Sequence, residues 1–334
     1  MNNVLGIPSL RIAVTEKCNL DCEYCPRDGD SYRIHGKKLL QKNEFVKIIN
    51  LAYGVGIRHF SITGGEPLKV PEITFAIAET IKKLPEVKYL RLNTNGILLQ
   101  NYANNIKKNG FDKVKVSLDS LKKTKNTELT LRGLAEIKKR NIPIRINMVV
   151  SKKNADEIFE MIKFCEENEF ELKLFDITYY RDCNSANPKF WRENYFSLLP
   201  LLQELKKKYG NPEMVLSVGG YGNPMPVFKQ NSQSPIRLRI SEQEARYVEQ
   251  CKICPDYMCQ DGFCNITLST DGNLKTCRPE GLDFGLSMVK DGQLLSNQEI
   301  TKKFSKVIDL FKSSRKTMRS LGKMSSSWEE AKNI

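Results

Sequence analysis

Three cysteines, Cys18, Cys22 and Cys25, lie within eight residues in a C-x3-C-x2-C spacing, directly after an alternating apolar run. A cubane iron–sulfur cluster needs a thiolate-like ligand on each of its four irons. Three closely spaced thiolates can hold three irons and leave the fourth open to a small molecule. A structural zinc knuckle is the alternative, but it normally uses four Cys or His ligands in two pairs. Only His35 lies nearby as a fourth ligand, so the spacing favours the cluster with an open iron.

The cysteine loop resembles the signature of the radical S-adenosylmethionine (SAM) superfamily. The resemblance implies a [4Fe–4S] cluster whose open iron chelates the amino and carboxylate groups of SAM. One electron from that cluster then cleaves SAM to a 5′-deoxyadenosyl radical, and a reductant such as flavodoxin or ferredoxin supplies the electron. Tyr24, just before the third cysteine, matches the family position that touches the adenine.

Short β-rich runs alternate with helical stretches from Leu10 to about Val150, which is typical of βαβ units around a parallel sheet. The predicted strands are Leu10–Val14, His59–Thr63, Tyr89–Asn93, Lys113–Leu118, Ile144–Val150 and Glu171–Thr178. The predicted helices are Lys42–Val55, Pro71–Lys83, Ala103–Lys108, Leu129–Arg140 and Asp156–Asn168. The pattern predicts an α/β fold, a partial (βα)6 TIM-like barrel, with its chemistry at the C-terminal ends of the strands.

Polar stretches follow three of the predicted strands. The second strand ends in Gly64-Gly65-Glu66-Pro67, where the glycines allow close backbone approach and the carboxylate can accept from an ammonium group. The resemblance implies that this turn contacts the methionine amino group of SAM. It also implies that Asn95 and Ser117 lie near SAM and that Thr94 lies near the substrate. Ordinary turn formation remains the alternative for the glycine–proline turn and for Asn95-Gly96.

A second cysteine group lies downstream. Its members are Cys251, Cys254, Cys259, Cys264 and Cys277. The segment from Cys264 to Cys277 reads as two strands joined by an Asp-Gly turn, which would bring both thiols to the open end of one hairpin. An auxiliary [4Fe–4S] cluster is favoured after a radical SAM barrel, and zinc is the alternative because C-x2-C pairs suit tetrahedral sites. Five cysteines exceed the needs of one cluster.

The chain is predicted to divide into a barrel, residues 1–220, and a smaller C-terminal cysteine-rich auxiliary-cluster domain with a tail helix, residues 221–334. The boundary rests on Pro224–Ser234, which is rich in Pro, Asn, Gln and Ser and is interpreted as a linker. The helical spacing of Phe304, Val307, Ile308 and Phe311 predicts that the tail helix packs on the barrel. The same spacing predicts that Cys165 is a buried helix residue.

The whole chain resembles the GTP 3′,8-cyclase family within this superfamily. Arg11, Lys69 and Lys152 match the positions that contact the substrate triphosphate there, which implies a phosphorylated or nucleotide substrate. The cyclases carry an Arg-x-Arg pair that reads guanine, where this chain has Asn265-Ile266-Thr267. The prediction is therefore a cyclase-like paralogue. A dehydrogenase or epimerase of an amino-sugar or peptide is the alternative, with Cys183 returning a hydrogen atom to the product radical.

The composition fits a reduced, cytoplasmic protein. The 334 residues carry a formal net charge of +14 and ten cysteines, and no apolar run reaches the roughly 20 residues that span a bilayer. The N-terminal residues lack the features of a secretory signal, so the cysteines are expected to be ligands rather than disulfides. The charge favours an anionic small-molecule substrate. A cysteine-rich nucleic-acid-binding module is the alternative from another class, but it gives no reason for the polar strand ends.

Overall fold

The structure is a computed structural model that describes residues 6–25, 39–177, 187–229, 234–242, 264–276 and 286–321. Several predicted features lie outside these residues, namely Cys183, Cys251, Cys254, Cys259, Cys277 and His35. Among the helices in the described ranges, none is long and apolar enough to cross a membrane.

One large sheet organises the described part of the chain. Its strands are β1 (Leu10–Ala13), β2 (His59–Thr63), β3 (Tyr89–Thr94), β4 (Lys113–Ser117), β5 (Ile144–Val150), β6 (Glu171–Asp176), β7 (Glu213–Ser217), β8 (Tyr221–Phe228), β9 (Ile236–Arg239), β10 (Ile266–Leu268) and β11 (Leu274–Lys275). Their order is β11-β10-β1-β2-β3-β4-β5-β6-β9-β8-β7. The strands from β10 to β9 in this order are all parallel, so their carboxyl ends meet at one edge. A separate hairpin pairs β12 (Val289–Lys290) with β13 (Gln293–Leu294).

The helices begin where their sequences provide caps. They are α1 (Lys42–Gly54), α2 (Pro71–Lys83), α3 (Leu99–Lys108), α4 (Lys125–Lys139), α5 (Ile158–Asn168), α6 (Asn187–Asn194), α7 (Leu199–Tyr209) and α8 (Asn297–Leu321). The Glu44 carboxylate accepts from the Gln41 backbone N–H at 2.8 Å at the start of α1. Pro71 begins α2, where a missing N–H costs nothing, and the Thr124 hydroxyl accepts from the Thr127 N–H at the start of α4.

The core lies between the sheet and its helices, because the parallel strands alternate apolar and polar residues. In β5, Ile144, Ile146, Met148 and Val150 are at most 4% exposed. The residues between them, such as Arg145, belong to the opposite face of the strand. The apolar face packs under the helices and the polar face lines the barrel interior, so the interior is unusually polar.

The predicted parallel sheet and the two predicted strands of the hairpin are confirmed, whereas Cys277 lies outside the described residues and its approach to Cys264 stays a prediction. All six predicted strands and the five predicted helices form, with ends shifted by a few residues. Strands β10 and β11 pair antiparallel around a turn that includes Gly272, whose φ of 85° suits glycine. This hairpin also belongs to the main sheet, since Leu10 pairs with Ile266.

The prediction that Pro224–Ser234 is a linker is wrong for residues 224–228. Residues 224–228 belong to β8, which pairs with β7 and β9 in the main sheet. Pro224 and Pro226 are tolerated because β9 pairs only with Val227 and Phe228 of β8, so the residues before them have a ladder on the β7 side alone. The sheet therefore continues beyond residue 220, and the division of the chain there stays a prediction.

Helix α8 packs on α1, and its apolar residues belong to the same core cluster as those of the strands, as its apolar spacing predicts. Phe304, Val307 and Phe311 are fully buried. The Phe311 ring meets the Tyr221 ring edge-on, with centroids 5.0 Å apart. The Tyr221 hydroxyl donates to the Gly6 carbonyl oxygen at 3.0 Å, so the contacts of α8 reach the segment before β1.

Substitution of Phe304 tests this packing. Phe304→Ala should lower the free energy of unfolding by about 3–5 kcal/mol, because it removes a fully buried aromatic ring and leaves a cavity. Phe159→Ala is the matched control, since Phe159 on α5 is 45% exposed, and it should change stability by no more than about 0.5 kcal/mol. Urea unfolding followed by circular dichroism measures both. Equal losses in the two variants would show that α8 is not part of the core.

Candidate active site

The glycine-rich turn after β2 holds the start of the cysteine loop. The Gly65 N–H donates to the Thr15 carbonyl oxygen at 2.7 Å, and the Glu66 N–H donates to the Lys17 carbonyl oxygen at 2.8 Å. A Cβ atom on Gly65 would lie 2.4 Å from the Lys17 oxygen. Glycine is therefore required here for close backbone approach. Gly64 has a φ of 143° and meets the Thr15 oxygen in the same way.

The Glu66 side chain joins the end of β2 to the end of β3. It is fully buried and accepts from the Leu68 N–H at 3.0 Å, the Thr94 hydroxyl at 2.8 Å and the Asn95 N–H at 2.7 Å. Burial raises the pKa of Glu66, and the three donors offset part of that rise. Both oxygens are used within the protein, so the predicted contact of Glu66 with SAM stays a prediction.

The three cysteines of the loop line one cavity of about 510 Å³, called here the cluster cavity. The predicted cofactor-binding residues that also line it are Tyr24, Gly64, Gly65, Asn95 and Ser117. The predicted substrate residue Thr94 lines it as well. The Asn95 side-chain amide donates to Asn19 at 2.7 Å and lies 3.8 Å from the Cys18 sulfur. The strand ends and the cysteine loop thus surround the same space, as the sequence predicts.

The donor set of the cluster cavity fits a cubane cluster better than a single metal ion. Cys18, Cys22 and Cys25 each contribute a thiol sulfur to the lining of this cavity. Among the described residues, no three Cys, His, Asp or Glu side chains are grouped closely enough to hold one ion. A cubane cluster instead places each thiolate on a different iron. Burial, with a further contribution from Asp119, raises the pKa of Cys22 to about 11, whereas coordination to a metal centre deprotonates a thiol.

Asp119 joins the cysteine loop to the middle of the sheet. Its carboxylate accepts from the Tyr24 hydroxyl and from the Val149 N–H at 2.8 Å. Burial raises the pKa of Asp119 to about 6. Asp119 was not predicted as a site residue, although it lies two residues after Ser117 in a polar stretch at the end of β4. That position at a strand end was the available signal.

A second cavity of about 520 Å³, the inner chamber, lies inside the barrel. Its lining is basic and includes Arg11, Arg91, Lys115, Arg145, Lys173, Arg237 and Arg239. It adjoins the cluster cavity, with which it shares Arg11, Tyr24, Cys25, Asn93, Ser117 and Asn147. Cys264 and Asn265 also line the inner chamber. Cys25 and Cys264 would therefore both border a molecule in the inner chamber.

The three basic residues predicted from the triphosphate resemblance do not line the same cavity. Arg11 lines both cavities and donates to the Thr63 hydroxyl at 3.4 Å. Lys69 is exposed, and its ammonium donates to the Cys18 carbonyl oxygen at 3.3 Å. Lys152 is exposed as well, and neither lysine lines either cavity. Their contact with a substrate stays a prediction.

The other basic residues of the inner chamber were not predicted from the sequence. Arg91, Lys115 and Lys173 each stand between two apolar residues of a strand, a pattern that also fits a strand with one solvent-facing side. The alternation of apolar and basic residues recurs in five strands, namely β3, β4, β5, β6 and β9. This recurrence could have indicated a basic barrel interior. In a barrel the helices cover the apolar face, so the alternate residues face inward.

Comparisons with known proteins identify the class. The radical SAM superfamily signature matches residues 12–165. A probable GTP 3′,8-cyclase of Thermococcus kodakarensis is 30% identical over 315 residues, which cover 90% of this chain and 94% of that protein. The chain belongs to the radical SAM superfamily.

Within that superfamily the chain is similar to GTP 3′,8-cyclases. The probable enzyme of Pyrococcus abyssi is 33% identical over 211 residues, or 60% of this chain and 66% of that protein. The enzyme of Clostridium perfringens is 36% identical over 180 residues, or 51% of this chain and 55% of that protein. In these two matches the chain spans less than two thirds of the relative's length.

Solved structures share the fold. The anSMEcpe structure with bound AdoMet has a TM-score of 0.57 and 19% identity, covering 97% of this chain and 88% of that one. The Streptococcus suis SuiB structure bound to S-adenosylmethionine has a TM-score of 0.56 and 14% identity, covering 83% and 61%. The predicted α/β fold is confirmed, and membership of the superfamily supports a [4Fe–4S] cluster and SAM as cofactors.

Gly65→Ala tests the turn that holds the cysteine loop. The added methyl group would meet the Lys17 oxygen at 2.4 Å, so we expect the loop to shift at a cost of about 1–3 kcal/mol. The measurement is iron bound per chain after anaerobic reconstitution, which should fall. Gly54→Ala is the control, because a Cβ atom there has nothing within 4 Å. Full iron binding by Gly65→Ala would contradict the role given to this turn.

Asp176 should give stability a measurable pH dependence. The carboxylate is buried and accepts from the Ser241 N–H, the Ser241 hydroxyl and the Tyr195 hydroxyl. Burial raises the pKa of Asp176 to about 7, and these hydrogen bonds offset part of the rise. The folded-state pKa of Asp176 lies above its unfolded-state value. The contribution of protonated Asp176 to the free energy of unfolding is therefore complete below about pH 4. It is lost as the pH rises through 7.

The test compares the natural protein with Asp176→Asn by urea unfolding between pH 4 and 8. The free energy of unfolding of the natural protein minus that of the variant should fall with rising pH, by at most about 4 kcal/mol. Asp309→Asn is the control, since the Asp309 side chain is 76% exposed, and its difference should stay flat. A difference that rises with pH for Asp176→Asn would contradict the assignment.

Proposed function

We propose that this chain cleaves SAM reductively and abstracts a hydrogen atom from an anionic substrate in the inner chamber. One observation carries the proposal: the three loop thiols and the Gly64-Gly65 turn surround a cavity that adjoins a strongly basic chamber. Cys18, Cys22 and Cys25 would hold the [4Fe–4S] cluster. When bound, that cluster supplies one electron to SAM, and cleavage of SAM gives a 5′-deoxyadenosyl radical.

The residues of the chain would orient SAM and exclude water from the reacting groups. Ser117 and Asn95 offer polar groups at the strand ends, and Tyr24 would lie beside the adenine. The hydrogen bond from Tyr24 to Asp119 fixes the Tyr24 ring relative to β4. Ring contact with Phe190, at a centroid distance of 6.4 Å, adds an apolar wall on the far side.

The substrate is proposed to be a phosphorylated or nucleotide compound, as in the GTP 3′,8-cyclases that this chain resembles. The basic lining of the inner chamber supports an anion. Asn265 lines that chamber where the cyclases have an arginine that reads guanine. We therefore propose a cyclase-like paralogue, whose substrate shares phosphate groups with GTP.

The auxiliary cluster belongs to the same proposal. Cys264 precedes β10 and lines the inner chamber, and the other four proposed ligands lie outside the described residues. A cluster held by Cys264 with members of that group would border the inner chamber, where the substrate is proposed to bind. It would either bind the substrate or take up an electron.

The test is an anaerobic assay. The protein is reconstituted with iron and sulfide, reduced, and incubated with SAM and GTP while 5′-deoxyadenosine and GTP-derived products are followed by mass spectrometry. We expect 5′-deoxyadenosine from the natural protein. Cys22→Ala should abolish it because one cluster ligand is lost. Cys165→Ala is the matched control, since Cys165 is a buried thiol on α5, and its yield should equal that of the natural protein.

The products separate the possible outcomes. Cyclised GTP together with 5′-deoxyadenosine would make this chain a GTP 3′,8-cyclase and would show that Asn265 suffices in place of the arginine. Unchanged GTP with 5′-deoxyadenosine would support the paralogue. Absence of 5′-deoxyadenosine from a reduced, cluster-loaded protein would refute the proposed function.

A further inference from the structure

The β7–β8 hairpin lines part of the inner chamber with apolar side chains. Those that border the chamber are Val215, Leu216, Val218 and Met225, called here the apolar wall. Val215 pairs in register with Met225 across the two strands of the hairpin. All four residues belong to the hairpin, whereas most of the cations of the chamber belong to the parallel strands. The chamber therefore has a basic part and an apolar part of different origin.

An irregularity in the hairpin directs neighbouring residues toward the chamber. The register of β7 and β8 shifts between Val215 and Ser217, as it does at a β-bulge. Regular alternation would place Leu216 on the opposite face from Val215, yet both line the chamber. Bulges often re-aim side chains beside active sites. Met214, in contrast, lines neither of the two cavities and is 52% exposed.

The apolar wall takes no part in the core. Its four residues are partly exposed, and none of them packs in the apolar core clusters of the described residues. The hairpin is otherwise joined to the core, since Phe228 is 1% exposed and belongs to the main core cluster. Apolar side chains that line a cavity and leave the core unchanged are typical of a ligand site.

The hairpin holds the apolar wall near Cys264. Gly222 has a φ of 77°, and a Cβ atom on it would lie 2.9 Å from the Cys264 Cβ atom, so glycine permits this close approach. The Tyr221 hydroxyl donates to the Gly6 carbonyl oxygen, which fixes the same hairpin to the segment before β1. Asn265 follows Cys264 and lines the chamber. The wall thus lies near the position where the cyclases carry an arginine that reads guanine.

We infer that the apolar wall binds an uncharged apolar group of the substrate and so determines which organic anion the chamber accepts. A guanine base would place N–H and C=O groups against these side chains without hydrogen-bond partners, which costs free energy. An apolar group would instead gain free energy by leaving water. The inference rests on the proposed function, since it names the class of substrate for the same chamber.

Three phosphates are the probes, namely inorganic phosphate, glycerol phosphate and naphthyl phosphate. They share the anionic group, so they differ in what they offer to the apolar wall. Binding to the reconstituted protein is measured by anaerobic isothermal titration calorimetry without SAM or reductant. Naphthyl phosphate should bind about tenfold or more tightly than either of the others, with a negative heat-capacity change. Hexyl phosphate then shows whether an aliphatic group binds more tightly than an aromatic one.

Substitutions on the hairpin locate the preference. Met225→Gln should weaken binding of naphthyl phosphate about fivefold or more, because an amide replaces an apolar side chain of similar size. Its affinity for inorganic phosphate should stay unchanged. Met214→Gln is the matched control, since Met214 is exposed on the same hairpin, and both affinities should change by no more than about twofold. Val215→Thr should give the same selective loss, which keeps the test valid if Met225→Gln does not fold.

Equal losses for naphthyl phosphate and inorganic phosphate in the wall variants would overturn the inference, and so would an equal effect of Met214→Gln. Loss of iron with unchanged selectivity would assign the wall to the surroundings of an auxiliary cluster and would also overturn it. Production of 5′-deoxyadenosine by a protein without the preference for naphthyl phosphate would overturn the inference alone. A clear preference in a cluster-loaded, reduced protein that produces no 5′-deoxyadenosine would overturn the proposed function alone.

Discussion

A fully buried carboxylate connects the ends of two neighbouring strands and the loop above them. Glu66 accepts from the backbone of its own turn, from Thr94 and from the Asn95 N–H. The same turn binds the cysteine loop through its backbone, at Thr15 and Lys17. Because a buried carboxylate is stable only when its oxygens are hydrogen-bonded, these contacts form together or not at all. The walls of the cluster cavity therefore depend on one side chain that does not line it.

The barrel interior differs from the surroundings of Glu66, because it brings several cations close together instead of surrounding one charge with hydrogen-bond donors. The outer face of the sheet packs against the helices in an ordinary apolar core. The inner face carries arginine and lysine side chains at the positions that branched apolar residues fill in many barrels. Such an interior weakens the ligand-free fold through charge repulsion and desolvation. For the anionic substrate proposed above, the same side chains would form a preorganised site, because strand geometry fixes them. Affinity for that substrate and cost to stability would then arise from the same residues.

Local sequence patterns predicted the parallel strands, the helices between them and the cysteine loop, because period-two alternation and short ligand spacing are local properties. The patterns failed at Pro224–Ser234, where a composition rich in Pro and Asn proved compatible with strand β8, most of which has a ladder on only one side. The patterns also did not identify Lys115 as a residue of the chamber. A basic residue in an alternating strand faces solvent in an open sheet and the interior in a barrel, and the alternation is the same in both. The hydrogen-bond partners of Glu66 were not predicted either. They lie 28 and 29 residues away in the sequence, so no local pattern indicates the contact.

The pairing of β1 with β10 has a consequence for how the chain is made. Leu10 is hydrogen-bonded into a ladder with a strand that begins at Ile266, so one edge of the first strand lacks its partner until most of the polypeptide has been synthesised. Contacts this distant in sequence form slowly, and an unpaired strand edge can pair with other chains. During translation the segment from β1 to β6 would expose that edge. Folding in the cell is therefore expected to need protection of this strand, and fragments that end before residue 266 are expected to aggregate.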